Sequence, residues 1–494
     1  MKILTKYPSR LLILGFIVSL LVYWIDGYFG LDPDFGWHIK VGELIRTNGI
    51  PLTDPFSYTM PSYSFIDHEW FTNLLMERLF NSTGMVGMAF LFALMAALIP
   101  FILLPPPYSI KELIVALLLW SAVFPPDGVR PQIIGWVFLA VLIRILWSKW
   151  EKYQWFFPIL MLVWVNMHGS FALGMVIITS FLFFHMIKKK SVMWKEATFS
   201  ILTLGVTLIN PYTIKIWGEI LTVSSDVNLK WNIGEWRPAF TSPNVAFFLF
   251  ATLTGYFWWR YNARVALWKT FFAALLFLLA ISANRHTILF VIFATPLCSS
   301  LLQYFEMEAE NYKDGVARVK IFLSLLAVVA LIIFLFQGIL SLHASFGRRE
   351  SVHYPQKAVT YLQKQTLQGE VFSDFNWGGY LVWKLPQKKV FVDGRMASWR
   401  SNYPPGESNA AFQEFLEIVS GEHINESFEK YRVLYVLWPV QTKERVIFLS
   451  GTFPFLGARK QEKTDGFHAL LKKEGWETVY QDEIAVVYRH PLAR

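Results

Sequence analysis

Long apolar runs separated by short polar segments recur through the first two thirds of the chain. The runs are hydrophobic throughout instead of alternating, which is typical of membrane-spanning helices. The pattern predicts about eleven spans, at residues 11–25, 84–104, 111–124, 132–147, 155–167, 170–187, 197–213, 245–259, 267–283, 286–304 and 320–342. Several are short for a hydrocarbon core of about 30 Å. We therefore expect a polytopic α-helical membrane protein.

The pattern changes after the last span, where the sequence becomes mixed and polar. Short β-type segments at 371–373, 389–392, 433–437 and 485–488 alternate with helical segments at 354–365, 410–419 and 467–474. Strands alternating with helices predict a small α/β domain. We predict a transmembrane domain over 1–345, with a first outer loop at 26–82, followed by an extracytoplasmic α/β domain over 346–494.

Charge supports one orientation of these spans. If the N-terminus is cytoplasmic, every inside loop or adjoining span end carries at least one Lys or Arg, as the positive-inside rule requires. The net charge of +9 is then explained by membrane orientation, and no nucleic acid partner is expected. The single cysteine, Cys298, excludes a disulfide framework. We expect a cell (inner) membrane protein whose first span is a retained anchor.

The same alternation brings ionisable side chains to the outer face of the membrane. Such residues at span ends indicate a functional site. They are Asp32, Asp34, His38, Asp67, His68, Glu69, Asp127, Arg130, His168, Glu235, Arg237, Arg285 and His286.

The first outer loop supplies the leading catalytic candidates, Asp32 and Asp34, in a D-P-D triplet. A carboxylate at the membrane surface could deprotonate an acceptor hydroxyl or help to hold a divalent cation. The structural interpretation is a turn in which Asp34 caps an amphipathic helix over 35–48 lying on the membrane interface. Asp67 could likewise cap a helix over 68–80.

A divalent cation, Mg²⁺ or Mn²⁺, is a possible cofactor. Its candidate ligands are Asp34, His68 and Glu69. The competing interpretation for the last two is a helix start with an interface ion pair. No H-E-x-x-H or paired C-x-x-C is present, so the sequence disfavours zinc.

Cations on the outer face could bind phosphate. Arginine suits bidentate phosphate binding, and a cation could neutralise a leaving phosphate as its bond to a sugar breaks. The alternative is snorkelling toward lipid headgroups. The phosphate candidates are Arg285, Arg130, Arg237 and His286; the other site candidates are His38, His68, Glu69, His168 and Glu235. His168 could instead be a helix-end residue, and Asp393-Gly394-Arg395 in the tail is interpreted as a structural turn.

Several motifs together resemble a known superfamily. They are D-P-D-F-G-W-H-I-K-V-G-E, D-P-F-S-Y-T, D-H-E-W, V-R-P-Q, N-M-H-G-S-F, N-P-Y, W-G-G-Y-L-V-W and V-F-V-D-G-R. With the long acidic first outer loop, many spans and an outer C-terminal domain, they resemble the glycosyltransferase C superfamily. Within it, the chain is similar to bacterial multi-pass proteins described as glycosyltransferase-like.

The resemblance implies an enzyme that uses a polyprenyl-phosphate-linked sugar on the outer side of the membrane. Superfamily members carry an essential aspartate in the first outer loop, and Asp34, with Asp32 beside it, matches that place. Some members need a divalent metal and others do not. We expect an inverting glycosyltransferase whose partners are that donor, membrane lipids and an acceptor that is a glycan, a lipid or a protein.

Two other classes stay open at the level of sequence. A polysaccharide polymerase or ligase would join glycan chains by closely related chemistry. A non-enzymatic envelope scaffold or a transporter would not need Asp34, and a transporter would show inverted repeats and helices broken at mid-span. Charged residues at the outer rim favour surface chemistry over transport.

Overall fold

The structure is a computed structural model that describes residues 7–124, 128–189, 194–226, 229, 232–241, 244–402, 405–440 and 463–493. Asp127, a candidate from the sequence, lies outside the described residues. The longer helices of the first part are α1 (Pro8–Phe29), α2 (Phe35–Asn48), α3 (Trp70–Leu103), α4 (Ile110–Val123), α5 (Gln132–Leu146), α6 (Phe156–Met167), α7 (Phe171–Lys189), α8 (Trp194–Val206), α9 (Lys215–Ser225), α10 (Val245–Tyr261), α11 (Leu267–Ser282), α12 (Thr287–Ala309) and α13 (Gly315–Gly347).

The C-terminal part contains helices and strands in mixed order. They are α14 (Gln356–Gln363), β1 (Glu370–Ser373), α15 (Gly378–Lys384), α16 (Ala411–Ser420), α17 (Ile424–Tyr431), β2 (Val433–Pro439), α18 (Lys463–Lys473), β3 (Glu477–Gln481) and β4 (Ala485–Arg489). The chain forms two compact units. The first, the helical unit, comprises 1–30, 67–72 and 79–346, and the second, the sheet unit, comprises 31–66, 73–78 and 347–494. The sequence placed the whole loop 26–82 with the spans, whereas residues 31–66 of it fold with the C-terminal residues.

All eleven apolar segments predicted from the sequence overlap helices of the helical unit. Within the described residues, five helical segments are long and apolar enough to cross a membrane: Pro8–Phe29, Trp70–Leu103, Phe171–Lys188, Asn284–Ala309 and Gly315–Gly347. Shorter apolar helices accompany them at Gln132–Leu146, Phe156–Met167 and Leu267–Ser282. The chain is therefore a multi-pass α-helical membrane protein with a small C-terminal sheet domain, as the sequence predicted.

Helix α4 lies at the centre of the helical unit. Its sequence is apolar on every face, and all its residues except Lys111 are buried. Such a helix needs partners all round, and it packs against α1, α10 and α12. Trp120 joins three helices, since its ring meets Gly15 of α1 and its indole N–H donates to the carbonyl of Ala97 of α3 at 3.0 Å.

Helix α3 is interrupted near its middle. Gly84 has a φ of +64°, a left-handed conformation that a continuous α-helix does not contain. The interruption separates a first segment that begins at Trp70 from the apolar segment that follows it. The sequence predicted these as two elements, a helix over 68–80 and a span over 84–104.

The sheet unit contains a four-stranded mixed sheet in the order β1-β2-β4-β3. Strand β2 pairs in parallel with β1 and antiparallel with β4, which also pairs antiparallel with β3. The α/β class of this domain is as predicted, but strand β3 and helices α15 and α17 were missed. The segment 389–392, predicted as a strand, is not one, because Val390 forms only an isolated bridge with Ser57 of the first loop.

Helix α2 of the first loop packs against helix α15. A Cβ on Gly36 would lie 2.1 Å from the carbonyl oxygen of Gly379, so the two backbones touch and neither glycine can gain a side chain without movement. At the next turns Gly42 meets the backbone of Asn73 in the same way. Because residues from Phe35 to Ile39 are buried, protein covers the face of α2 for which the sequence predicted contact with the membrane interface.

Candidate active site

A carboxylate bridges two arginines in the helical unit. Glu235 lies in the short 3₁₀ helix Gly234–Trp236, and its Oε2 accepts from Nη1 of Arg130 at 2.7 Å while its Oε1 accepts from Nη1 of Arg285 at 3.0 Å. The guanidinium of Arg285 also stands over the Trp236 ring, 4.5 Å from its centroid, and that ring meets the imidazole of His286 edge-on. Three predicted phosphate-site candidates thus gather around one predicted acid.

Turns at the ends of helices hold this group, which we call the Glu235 cluster (Arg130, Glu235, Trp236, Arg285 and His286). Arg130 precedes α5, and Arg285 and His286 lie in the turn Asn284–His286 between α11 and α12. Backbone pairing ties two of the segments together, because the carbonyl of Arg237 accepts from the N–H of Asn284 at 2.8 Å. The side chains of the two bridging arginines are only 19% and 26% exposed, so the charges sit in a sheltered but accessible position.

The electrostatics of Glu235 are dominated by its neighbours. Burial alone would raise the pKa of Glu235, but Arg285 and Arg130, with a smaller contribution from His286, outweigh it and lower this pKa to about 2. The carboxylate is therefore ionised across the physiological range. Two guanidiniums and one ionised carboxylate therefore meet in this bridge.

A second group of ionisable side chains, one glutamate and two histidines, lies where the D-H-E-W and N-M-H-G-S-F motifs meet. Oε1 of Glu69 lies 3.2 Å from Nε2 of His168 and 3.8 Å from Nε2 of His68. The backbone N–H of Ser170 donates to Nδ1 of His168 at 3.0 Å, so Nε2 carries the proton of the neutral ring and points it at Glu69. The side chain of Glu69 is 10% exposed, and His168 holds its carboxylate in one orientation.

Further bonds lock the two motifs together. The indole N–H of Trp70 donates to Oδ1 of Asn166 at 3.0 Å, and the hydroxyl of Thr72 donates to the carbonyl of Met167 at 2.6 Å. A Cβ on Gly169 would lie 2.7 Å from the His68 ring, so this position requires glycine. The sequence predicted His168 and Glu69 as separate candidates, and the structure pairs them.

His68 lies within the electrostatic reach of the Glu235 cluster. Burial and then the positive charge of Arg285 lower the pKa of His68 from 6.5 to about 4. The ring is therefore neutral at neutral pH and presents a lone pair or an N–H, but no charge. Asp67, predicted to cap a helix starting at 68, accepts from the N–H of Glu69 at 2.9 Å, and the helix begins at Trp70.

The two leading catalytic candidates lie in the sheet unit. Oδ1 of Asp32 accepts from the N–H of Asp34 at 2.8 Å, which makes the turn expected of D-P-D. Asp34 occupies the position before α2, but its side chain makes no capping hydrogen bond. A Cβ on Gly394 would lie 2.0 Å from Oδ1 of Asp34, so the Asp34 carboxylate rests against the backbone of the D-G-R turn. His38, also a candidate, bonds through Nδ1 to Oδ1 of Asn73 at 2.6 Å, which is a structural contact.

The D-G-R turn is anchored by a buried ionic group, the Arg395 cluster (Asp54, Asp393 and Arg395). Arg395 donates from Nη1 to Asp54 at 2.8 Å and from Nη2 and Nε to Asp393 at 2.6 and 2.9 Å. The arginine side chain is 3% exposed and both carboxylates are 0% exposed. Burial alone would lower the pKa of Arg395, but the carboxylates of Asp393 and Asp54 raise it. Sequence reasoning treated Arg395 as part of a turn and missed its partner Asp54.

The residues proposed for a metal lie in different units, with His68 and Glu69 in the helical unit and Asp34 in the sheet unit. No three His, Cys, Asp or Glu side chains among the described residues are grouped so that they could hold a metal ion. At Glu69 the protonated Nε2 of His168 faces the carboxylate as a hydrogen-bond donor, which is not the role of a metal ligand. The divalent cation stays a prediction.

Comparisons with known proteins identify the fold. No protein-family model and no curated protein matches the sequence. The oligosaccharyltransferase of Archaeoglobus fulgidus, tethered to an acceptor peptide containing the NVT sequon, superposes with a TM-score of 0.62 at 12% identity, over 99% of this chain and 74% of that one.

ArnT from Cupriavidus metallidurans is similar over nearly its whole length. Its apo structure gives a TM-score of 0.55 over 98% of both chains, and its complex with undecaprenyl phosphate gives 0.51 over 97% of this chain and 98% of that one, both at 11% identity. Both proteins are glycosyltransferases of the C superfamily. The chain therefore shares the fold of these two glycosyltransferases, as the resemblance of its sequence motifs predicted.

Proposed function

We propose that the protein is an inverting glycosyltransferase that moves a sugar from a polyprenyl-phosphate donor to an acceptor hydroxyl at the outer face of the cell membrane. In this proposal the N-terminus is cytoplasmic and the C-terminal domain is extracytoplasmic. The shared fold with ArnT, which was solved with undecaprenyl phosphate, supports a lipid phosphate as the leaving group. The acceptor is a glycan, a lipid or a protein.

The reaction is a single displacement at the anomeric carbon. The acceptor oxygen attacks the face opposite the phosphate, and the carbon–oxygen bond to phosphate breaks as the new glycosidic bond forms. The phosphate oxygen leaves with the bonding electron pair and yields polyprenyl phosphate. The acceptor proton passes to a carboxylate, which acts as the general base.

The observation that carries the proposal is the pair of arginines in the Glu235 cluster. Arg130 and Arg285 are held 2.7 and 3.0 Å from the two oxygens of one carboxylate. Two guanidiniums that converge on two oxygens of one anion also suit two oxygens of a phosphate. In this role they stabilise the charge that develops on the departing phosphate. In this proposal Arg237, the residue after Trp236, and His286 are further candidates for phosphate binding.

Asp34 is our first choice for the general base. Its place in the first loop matches the aspartate that the sequence resemblance implies, and its carboxylate lies against the backbone of the D-G-R turn at Gly394. Glu69 is the second carboxylate to test, because His168 orients it and because the charge of Arg285 contributes to lowering the pKa of the neighbouring His68. If the enzyme uses Mg²⁺ or Mn²⁺, either carboxylate could contribute to binding the cation.

The test is turnover by the purified full-length protein in lipid nanodiscs with a panel of undecaprenyl-phosphate sugars. We expect Asp34→Asn to abolish transfer and Arg285→Gln to lower it by about 10²-fold or more. The matched controls are Glu43→Gln, a carboxylate on the partly exposed half of α2, and Arg318→Gln, an exposed arginine. Product sizing distinguishes single sugars from chains, and a chelator arm tests the cation. Wild-type protein that stays folded but transfers nothing from any donor would refute the proposal.

A further inference from the structure

Glu235 is an unexpected residue for a site that binds phosphate. Anion sites gain affinity from positive charge, yet here a fully ionised carboxylate bridges the two candidate phosphate ligands. If the two arginines were fully buried, the need to neutralise them would give the carboxylate a structural role. However, the side chain of Glu235 is 32% exposed, and those of Arg130 and Arg285 are also open to solvent in part, so stability alone does not require it.

The two lipid phosphates of a transferase cycle differ in charge. A sugar donor linked through a phosphodiester carries one negative charge. The spent carrier is a phosphate monoester, which carries close to two negative charges above its second pKa of about 6. A discriminating site must therefore distinguish one charge from two at the same phosphorus position.

We propose that Glu235 lowers the positive potential of the phosphate site, so that the doubly charged monoester product is held less tightly than the two arginines alone would hold it, with a smaller effect on the singly charged diester donor. The Glu235 carboxylate lies 2.7 Å from Arg130 and 3.0 Å from Arg285, so a phosphate bound by both guanidiniums lies beside its negative charge. The second charge of the monoester meets the Glu235 carboxylate, and the repulsion promotes release of the spent carrier. This inference rests on the proposed function and names the residue that gives the same site its selectivity.

The groups around Glu235 define how the discrimination depends on pH. The charged and titratable groups beside Glu235 are the guanidiniums of Arg285 and Arg130 and the imidazole of His286. His68 is the neighbouring imidazole, and burial and then the charge of Arg285 lower its pKa to about 4. A diester does not titrate near pH 6, so its binding reports changes in the protein. The difference between monoester and diester binding then isolates the charge of the ligand.

The experiment measures binding to the full-length protein in nanodiscs of neutral lipid. The probes are undecaprenyl phosphate, its methyl diester and inorganic phosphate, each at pH 5.5 and 7.5. At pH 7.5 we expect Glu235→Gln to bind undecaprenyl phosphate about tenfold more tightly or better, with a smaller gain for the methyl diester. At pH 5.5, where the monoester loses most of its second charge, the gain should shrink. Glu235→Asp keeps the charge and should resemble wild type.

The outcomes separate this inference from the proposed function. Arg285→Gln could weaken the binding of both lipids while Glu235→Gln leaves the ratio of their affinities unchanged at both pH values. In that case the charge role of Glu235 is refuted and the proposed phosphate site is retained. If neither Arg285→Gln nor Arg130→Gln weakens the binding of either lipid, the proposed phosphate site itself is refuted. Inorganic phosphate that binds wild type as tightly as undecaprenyl phosphate does would refute a site selective for lipid phosphate. Binding of the diester by Glu235→Gln confirms that this variant is folded.

Discussion

Two arginine–carboxylate clusters in this protein differ in their ratio of arginines to carboxylates and in their exposure to solvent. The Glu235 cluster joins two arginines to one carboxylate and leaves 19–32% of each bridging side chain exposed. The Arg395 cluster joins one arginine to two carboxylates, with side chains 3% and 0% exposed. A partly exposed bridge that contains two guanidiniums can bind an incoming anion. A sealed bridge is closed to incoming ligands, so it serves the fold.

The largest expected effect follows from breaking the sealed cluster. Arg395→Met would leave Asp54 and Asp393 buried without their counter-ion, and losing one partner of a buried pair costs about 3–5 kcal/mol. We expect a large fall in the thermal unfolding midpoint and loss of most of the folded protein. Arg395→Lys should also be destabilising, because lysine cannot reproduce the forked bonds to both aspartates. A midpoint within a degree of wild type in both variants would show that the cluster does not support the fold.

Gly394→Ala tests how closely the D-G-R turn approaches Asp34. Its Cβ would lie 2.0 Å from Oδ1 of Asp34, so the carboxylate or the turn must shift. We expect transfer to fall about tenfold or more, since small displacements of a catalytic group are costly. The matched control is Gly466→Ala, whose Cβ would meet no atom of the described residues within 4 Å. Equal turnover by both alanine variants would argue against a catalytic role for Asp34 in this position.

A smaller effect is expected from acid, through His68. Its pKa is about 4 in the folded protein and near 6.5 when unfolded, so the unfolded state binds the extra proton first. The contribution of His68 to stability is complete above pH 6.5 and is lost as the pH falls toward 4. Unfolding midpoints measured between pH 7 and pH 4 should therefore fall less steeply in His68→Gln than in wild type. Parallel curves would mean that His68 is not held neutral.

The smallest effect on stability should come from the exposed cluster. Arg285→Gln removes one partner of a partly solvated bridge, while Arg130 stays with Glu235. We expect the free energy of unfolding to change by less than about 1 kcal/mol. The same variant should lose transfer activity and lipid-phosphate binding. A large loss of stability would mean that the Glu235 cluster stabilises the fold, as the Arg395 cluster does, and that the two clusters do not differ in this respect.

Sequence patterns predicted the spans and the sheet domain because the buried side chains of a helix or strand recur at short, regular spacings along the chain. Each apolar segment became a helix, and three of the four predicted strands formed. Strand β3 was missed because its residues are mostly exposed and carry little apolar signal. Helix α15 was missed because two glycines at its start disfavour a helix, although Gly379 permits the close approach of α2 and Gly378 that of the D-G-R turn.

The candidate residues were predicted better than their partners. The sequence singled out Glu69, His168, Glu235, Arg130 and Arg285 from their positions near the outer ends of spans. Their pairing depends on tertiary contacts, such as the 105 positions between Arg130 and Glu235. The 341 positions between Asp54 and Arg395 hid the buried cluster for the same reason. No local pattern encodes which distant charge will become a partner.

The central claim is that Arg130 and Arg285 bind the phosphate of a lipid-linked sugar donor. An experimental structure of the full-length protein with undecaprenyl phosphate in nanodiscs tests it most directly. The account predicts phosphate oxygens within hydrogen-bonding distance of both guanidiniums, next to the Glu235 carboxylate. A well-ordered phosphate bound away from both arginines, with the Glu235 bridge unchanged, would contradict the claim.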